Sequence, residues 1–376
     1  MNLMLSDQSR GAIYDVSAAE RTCDFQHATQ ALPFLPTLGD PHAMSIELIC
    51  PAGSLPSLKA AIDNGADGVY LGFKNTTNAR AFPGLNFDAN TLKTGIDYVR
   101  KRGKKILIAL NTFPQGVRWP EWTQSVDQAA DLGVDAIILA DIGLFKYASE
   151  THPGLRLHLS VQGSATNYEA INFYRDHFGI QRAVLPRVLS IEQVENLVRH
   201  TDVEIELFGF GGLCVMVEGR CILSSYTTGE SPNTAGVCSP AKSVRWQTTP
   251  KGLESRLGEV LLDRYSSDEK AGYPTLCKGR FAVAGETYYA LEEPTSLNTI
   301  ELLPEMLRMG ISAVKIEGRQ RSPAYVEQVT RVWRQAINAA ERDTDHFKVR
   351  AESMAQLEHL SEGQQHTLGA YYRSWK

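Results

Sequence analysis

No stretch of this 376-residue chain comes near the roughly 18 to 20 unbroken apolar residues that a membrane span requires. Nor is a secretory leader expected: the first five residues are mildly apolar, but no basic stretch precedes them and no apolar core follows. The expected setting is therefore a reducing cytoplasm, where cysteines serve as ligands or nucleophiles rather than disulfides. There is no surplus of positive charge. The net charge is −5, whereas nucleic-acid binders rely on basic surface to neutralise phosphate. The densest basic run, Lys101, Arg102, Lys104 and Lys105, lies between a helix and a strand and reads as a solvated helix end. No glycine-rich dinucleotide fingerprint or phosphate loop follows any strand. His-Glu-x-x-His and Gly-x-Ser-x-Gly are missing too, which argues against zinc-protease and serine-hydrolase chemistry.

What the chain does have is alternation. With 43% hydrophobic and 22% charged residues, it can bury a large core. Residues 1–43 show no sustained period, contain Pro33, Pro36 and Pro41, and are expected to form a disordered N-terminal extension. Met44 is a candidate translation start, and Cys23 receives no role. From residue 45, strand-like runs recur near 46–50, 68–73, 105–111, 136–141, 156–162, 183–187 and 204–210, with helical periodicity between them. Three helix-to-strand joints carry a glycine just past the helix, at Gly65, Gly133 and Gly310. The last introduces an eighth strand, 313–317, followed by a closing helix over about 322–342. Eight such units in series predict an α/β fold, a (β/α)8 TIM-type barrel over 44–376.

The spacing breaks once. About a hundred residues separate strands seven and eight, and the excess, 211–295, is an insertion between them. Leaving the C-terminal end of a strand, it emerges on the face where barrel enzymes keep their active sites. It holds Cys214, Cys221, Cys238 and Cys277, four of the six cysteines. Four thiolates flanked by glycines suit an iron–sulfur cluster or structural zinc. Their intervals of 7, 17 and 39 include no tight Cys-x2–4-Cys knuckle of the kind zinc sites favour. Period two places Arg156, His158, Ser160 and Gln162 on the inward side of strand five, and Lys315, Glu317 and Arg319 together on strand eight. Asn111, Asp141, Gln162, Arg187 and Glu317 end strands three, four, five, six and eight, where such a barrel holds a ligand. His158 is expected to serve an internal hydrogen bond, and Cys50 to pack rather than ligate.

The run from Glu206 through Gly211-Gly212-Leu213-Cys214 to Gly219-Arg220-Cys221-Ile222-Leu223-Ser224 resembles the signature of the collagenase-like peptidase family. It departs at Gly212, where that signature has Ser or Ala. Cys50-Pro51-Ala52-Gly53, Thr77-Asn78-Ala79-Arg80, Ser160-Val161-Gln162, Ser224-Ser225-Tyr226, residues 228–234 and 291–299, and Lys315 through Pro323 narrow the resemblance to the UbiU-type branch. The similarity runs from about 45 to 376. It implies a 4Fe–4S cluster on Cys214, Cys221, Cys238 and Cys277, in the iron–sulfur subunit of an O2-independent hydroxylase. The substrate implied is the aromatic ring of ubiquinone precursors, with prephenate as oxygen donor. It further implies a heterodimer with a UbiV-like paralogue, a precursor lipid presented by an accessory lipid-binding protein, and no nucleic acid. Arg80, Arg187 and Arg319 would then hold a dicarboxylate, since guanidinium pairs with carboxylate through two parallel hydrogen bonds. RNA hydroxylation, as in sister branches, and peptidase activity are the alternatives.

Overall fold

The computed structural model describes residues 45–372; the 1–43 extension, Met44 and Cys23 lie outside them. Seven parallel strands run in sequence order: β1 (Glu47–Pro51), β2 (Gly68–Leu71), β3 (Lys105–Leu110), β4 (Ala136–Leu139), β5 (Leu157–Leu159), β6 (Arg182–Val184) and β7 (Glu204–Gly212). The eighth, β8 (Ala313–Ile316), closes the circle, pairing in parallel with β1 through Glu47↔Ala313 and with β7 through Glu206↔Ala313. The result is the closed eight-stranded parallel barrel that the alternation predicts. Helices follow each strand, and the closing one, α1 here for reference, is Pro323–Arg342, capped by the Ser322 hydroxyl on the Tyr325 N–H. The three joint glycines adopt left-handed φ of +100°, +62° and +79° at Gly65, Gly133 and Gly310, which only glycine takes without steric cost.

Period two sorts the strand side chains into two layers. Residues such as Leu48, Val69, Ile106, Ile137 and Leu207 pack outward against the helices, while Ile49, Tyr70, Leu107, Ala136, Ile138 and Ala313 form a small separate core inside the barrel. Cys50 belongs to the outer layer: it is fully buried and accepts a hydrogen bond from Thr330 of α1 at 3.2 Å. It packs, as expected.

Beneath the inner core lies a layer of charge. Arg182 pairs with Glu47, Glu204 and Glu206, and Lys315 with Glu206 at 2.7 Å. Opposite charges in contact make such burial tolerable, whereas removing one partner strands the other. His158 sits in this layer and accepts from Arg156 Nε at 3.0 Å. Burial, then the charges of Arg182 and Arg156, hold its imidazole well below the ordinary 6.5, so it is neutral in the fold. The unfolded chain gains a proton there below pH 6.5, so this contribution is intact above that value and lost as pH falls. His158→Gln should therefore flatten the loss of stability on acidification below pH 6.5, measured as the urea midpoint against pH.

Strands two to six and eight end earlier than predicted, while β1 and β7 run on to Pro51 and Gly212. Ser160 leaves β5 to cap a short 3-10 turn over Val161–Gly163, accepting from the Gln162 N–H. Strand pairing gives way where the chain turns to line the mouth. Between Gly212 and Ser296 the chain forms two short helices, Leu223–Thr228 and Pro232–Ala235, then an antiparallel sheet of Val244–Thr249, Gly252–Leu257 and Val260–Tyr265, and a hairpin of Arg280–Val283 with Glu286–Tyr289. It returns as Ser296–Asn298, antiparallel to the end of β7. Among the described residues no helix is long and apolar enough to cross a membrane.

Candidate functional site

The C-terminal ends of the strands surround a recess of about 540 Å³, its open mouth included, whose walls include Tyr70, Arg80, Asn111, Gln162, Arg187, Lys315, Glu317 and Arg319. Arg80 reaches it from the loop after β2. Its φ of +88° is left-handed, a conformation that costs a non-glycine residue roughly 1–3 kcal/mol and persists only where the surroundings enforce it. The enforcement is visible: the Ala79 N–H donates to Asn111 Oδ1 at 2.9 Å, and the Arg80 N–H to the Gly236 carbonyl at 2.8 Å. The Arg80 guanidinium lies 3.4 Å from Glu317. Burial disfavours charge on Glu317, but Arg80 and then Arg187 outweigh it and hold the carboxyl below its ordinary 4.5.

Arg319 differs from the other two arginines. It is 4% exposed, donates to Asn78 Oδ1 at 3.0 Å and lies over the Tyr70 ring at 5.6 Å, yet among the described residues it forms no direct ion pair. Burial lowers its guanidinium to about 10, so it stays charged at neutral pH. A buried cation facing a recess without an acid partner is suited to an anionic ligand. Arg187, by contrast, is engaged: Nε donates to Glu218 at 2.7 Å, Nη1 donates to the Gly212 carbonyl, and the guanidinium covers the Phe208 ring.

These same contacts seat the insertion. Arg187 grips it at Gly212 and Glu218, and the Phe113 N–H donates to the Asn233 carbonyl at 2.9 Å. Gly219 (φ +87°) lies so close to the barrel that a Cβ there would stand 1.9 Å from the Gln162 carbonyl oxygen. Gly236 does the same against the Asn78 carbonyl, at 2.6 Å. The Gly212 position is less demanding: its nearest neighbour to a Cβ is a Glu317 oxygen at 3.6 Å, so glycine here is a small-for-small replacement of Ser or Ala.

Each docked loop carries a cysteine, and the four thiols act on one another. The charge of Cys277 is felt at Cys214, that of Cys221 at Cys238, and those of Cys238 and Cys221 at Cys277. Burial pushes the Cys214 thiol up to about 12 and that of Cys277 to about 11, and raises Cys238 as well. Cys238 is nevertheless exposed at the surface. Cations offset part of this: Arg187 at Cys214, Arg80 at Cys238, and Lys278 at both Cys238 and Cys277. Among the described residues no three His, Cys, Asp or Glu side chains stand close enough to hold a single metal ion. Four thiolates on one zinc must approach within about 4 Å of each other, since Zn–S is about 2.3 Å. A four-iron cube instead gives each thiolate its own iron and takes a wider quartet. A donor set made only of thiolates, with Arg80, Arg187 and Lys278 around it, suits such a cube. Its thiols would be deprotonated on binding.

Six of the seven substrate residues expected from sequence line the recess: Arg80, Asn111, Gln162, Arg187, Glu317 and Arg319. Asp141 does not. Its carboxylate accepts from the Leu144 N–H at 3.0 Å and caps the helix Ile142–Thr151, the ordinary use of an acid between a strand and a helix. Sequence reading missed Tyr70, Asn78 and Glu218. Tyr70 was within reach, because it shares the inward register of β2 with Gly68. Glu218 carried no signal beyond lying between two cysteines.

A model of Peptidase family U32 matches residues 53–374. The tRNA hydroxylation protein P1 of Bacillus subtilis (strain 168) is 32% identical over 319 residues, covering 83% of this chain and 68% of that protein. The tRNA hydroxylation protein P of Escherichia coli (strain K12) is 31% identical over 314 residues, covering 78% and 68%. The 23S rRNA 5-hydroxycytidine C2501 synthase of the same organism is 28% identical over 300 residues, covering 78% of this chain and 39% of its own length.

Proposed function

The chain belongs to peptidase family U32, and from that premise we propose that it is the iron–sulfur subunit of an O2-independent hydroxylase acting on the aromatic ring of ubiquinone precursors, with prephenate as oxygen donor. The observation that carries this reading is the set of four cysteines, Cys214, Cys221, Cys238 and Cys277, on an insertion that Arg187, Gly219 and Gly236 seat against a recess lined with cations. A 4Fe–4S cluster held by these four residues would supply one-electron chemistry beside the recess. The protein's own groups do the rest. Arg319 and Arg80 orient an acidic donor, Glu317 fixes the Arg80 head, and Asn111 and Gln162 offer further polar contacts. The work is taken to be cytoplasmic and shared with a UbiV-like paralogue in a heterodimer. The lipid precursor is handed over by an accessory lipid-binding protein.

The hydroxylation proteins among the relatives support a hydroxylase over a peptidase. Their names also favour a second reading, hydroxylation of RNA, against which stands the net charge of −5. One deletion strain separates the two. Grown without oxygen, it should lose ubiquinone and accumulate an under-hydroxylated precursor while its tRNA and rRNA modifications stay unchanged. Normal quinone with missing RNA hydroxylation would replace the first reading by the second.

A further inference from the structure

Three cations face the thiols, and each is backed by a carboxylate: Arg80 by Glu317, Arg187 by Glu218 and Lys278 by Glu362. The first two pairs touch the recess. The third stands apart from it, joining the insertion to a segment far along the chain. The Lys278 ammonium acts on both Cys238 and Cys277, is 8% exposed, and meets Glu362 at 2.5 Å.

Glu362 is held in place by its backbone. Its N–H donates to Ser296 Oγ at 2.9 Å. The next residue, Gly363, has φ +63° and passes so close to Pro294 that a Cβ would lie 2.2 Å from that carbonyl oxygen. His366 and Thr367 then pair with Ser296 and Leu297, the strand that itself pairs with the end of β7 leading to Cys214. The carboxylate thus belongs to a rigid edge of the barrel, while the lysine it grips sits on a loop of the insertion.

We propose that Glu362 is a positioning residue for the thiol site, acting by fixing Lys278 as the counter-charge of its Cys238 and Cys277 side. This rests on the iron–sulfur reading above. A cation near a cluster favours the reduced form, because the added electron is drawn to it. Lys278→Gln should therefore make the reduction potential more negative. For Glu362→Gln, two accounts part company. If the acid merely adds negative charge, neutralising it makes the potential more positive. If it positions the lysine, the released ammonium swings into solvent and the potential falls, as in Lys278→Gln.

The test is anaerobic redox titration of both variants, followed by visible absorption. It is paired with amine-reactive labelling of Lys278 in protein without the cluster, read by mass spectrometry against the exposed Lys270. Expected are negative shifts in both variants and several-fold faster labelling of Lys278 in Glu362→Gln. A positive or absent shift in Glu362→Gln, or unchanged labelling, overturns the proposal. Wild-type protein that takes up no cluster would refute the cofactor reading instead, and the labelling alone would then decide the positioning role.

Discussion

Cys214→Ala, Cys221→Ala, Cys238→Ala and Cys277→Ala each lose iron, at least about tenfold relative to the wild type after anaerobic reconstitution. The effect should be similar for all four, although their surroundings differ. Cys214 and Cys277 are partly covered and Cys238 is exposed. The reason is that every corner of a four-iron cube takes one thiolate, so each loss leaves one iron without its thiolate. Cys50→Ala is the informative control. Its sulfur is fully buried against Thr330 of α1, on the helix side of the strand layer. It should cost about 1 kcal/mol of stability and leave the iron content unchanged. If Cys50→Ala lost iron as severely as the other four, the ligand assignment would be wrong.

Arg319→Ala separates the recess from the cluster. Among the described residues Arg319 is the one arginine of the recess without a direct acid partner, so its charge is available to a ligand. Removing a buried, hydrogen-bonded charge opposite a bound anion costs about 2–4 kcal/mol, or roughly 30- to 1,000-fold in Kd. Titration of prephenate by calorimetry should show that weakening, with iron content and visible spectrum unaltered. Arg319→Lys should recover only part, because an ammonium cannot pair with a carboxylate through two parallel hydrogen bonds. Arg187→Ala should behave differently. Its contacts to Glu218 and Gly212 hold the insertion, so its loss disturbs the thiol site as well as the ligand. Equal losses of prephenate affinity and of iron in Arg319→Ala would mean that recess and thiol site are one structural unit.

The barrel was legible because local signals repeat: a glycine after a helix, a run of β-branched and aliphatic residues, then a polar residue at the strand end. The long gap before β8 likewise announced an excursion from the catalytic face. Side-chain commitments were less legible. Asp141 and Asn111 look alike as polar strand ends. One caps the helix that follows, and the other holds the Ala79 N–H and faces the recess. That difference depends on whether the next turn of chain is helix or loop. Arg187 and Arg319 are likewise equivalent in sequence, yet only the first meets an acid, supplied by an insertion whose path no periodicity describes. Glu362 lies still further off, on a segment whose place beside Lys278 follows from strand pairing after β7.

Anaerobic purification of the whole chain, with iron, acid-labile sulfide and zinc measured on the same sample, tests the central claim most directly. The account predicts brown protein with a broad visible band and iron and sulfide in equal amounts, bleached by oxidation. Colourless protein carrying one zinc per chain would contradict it.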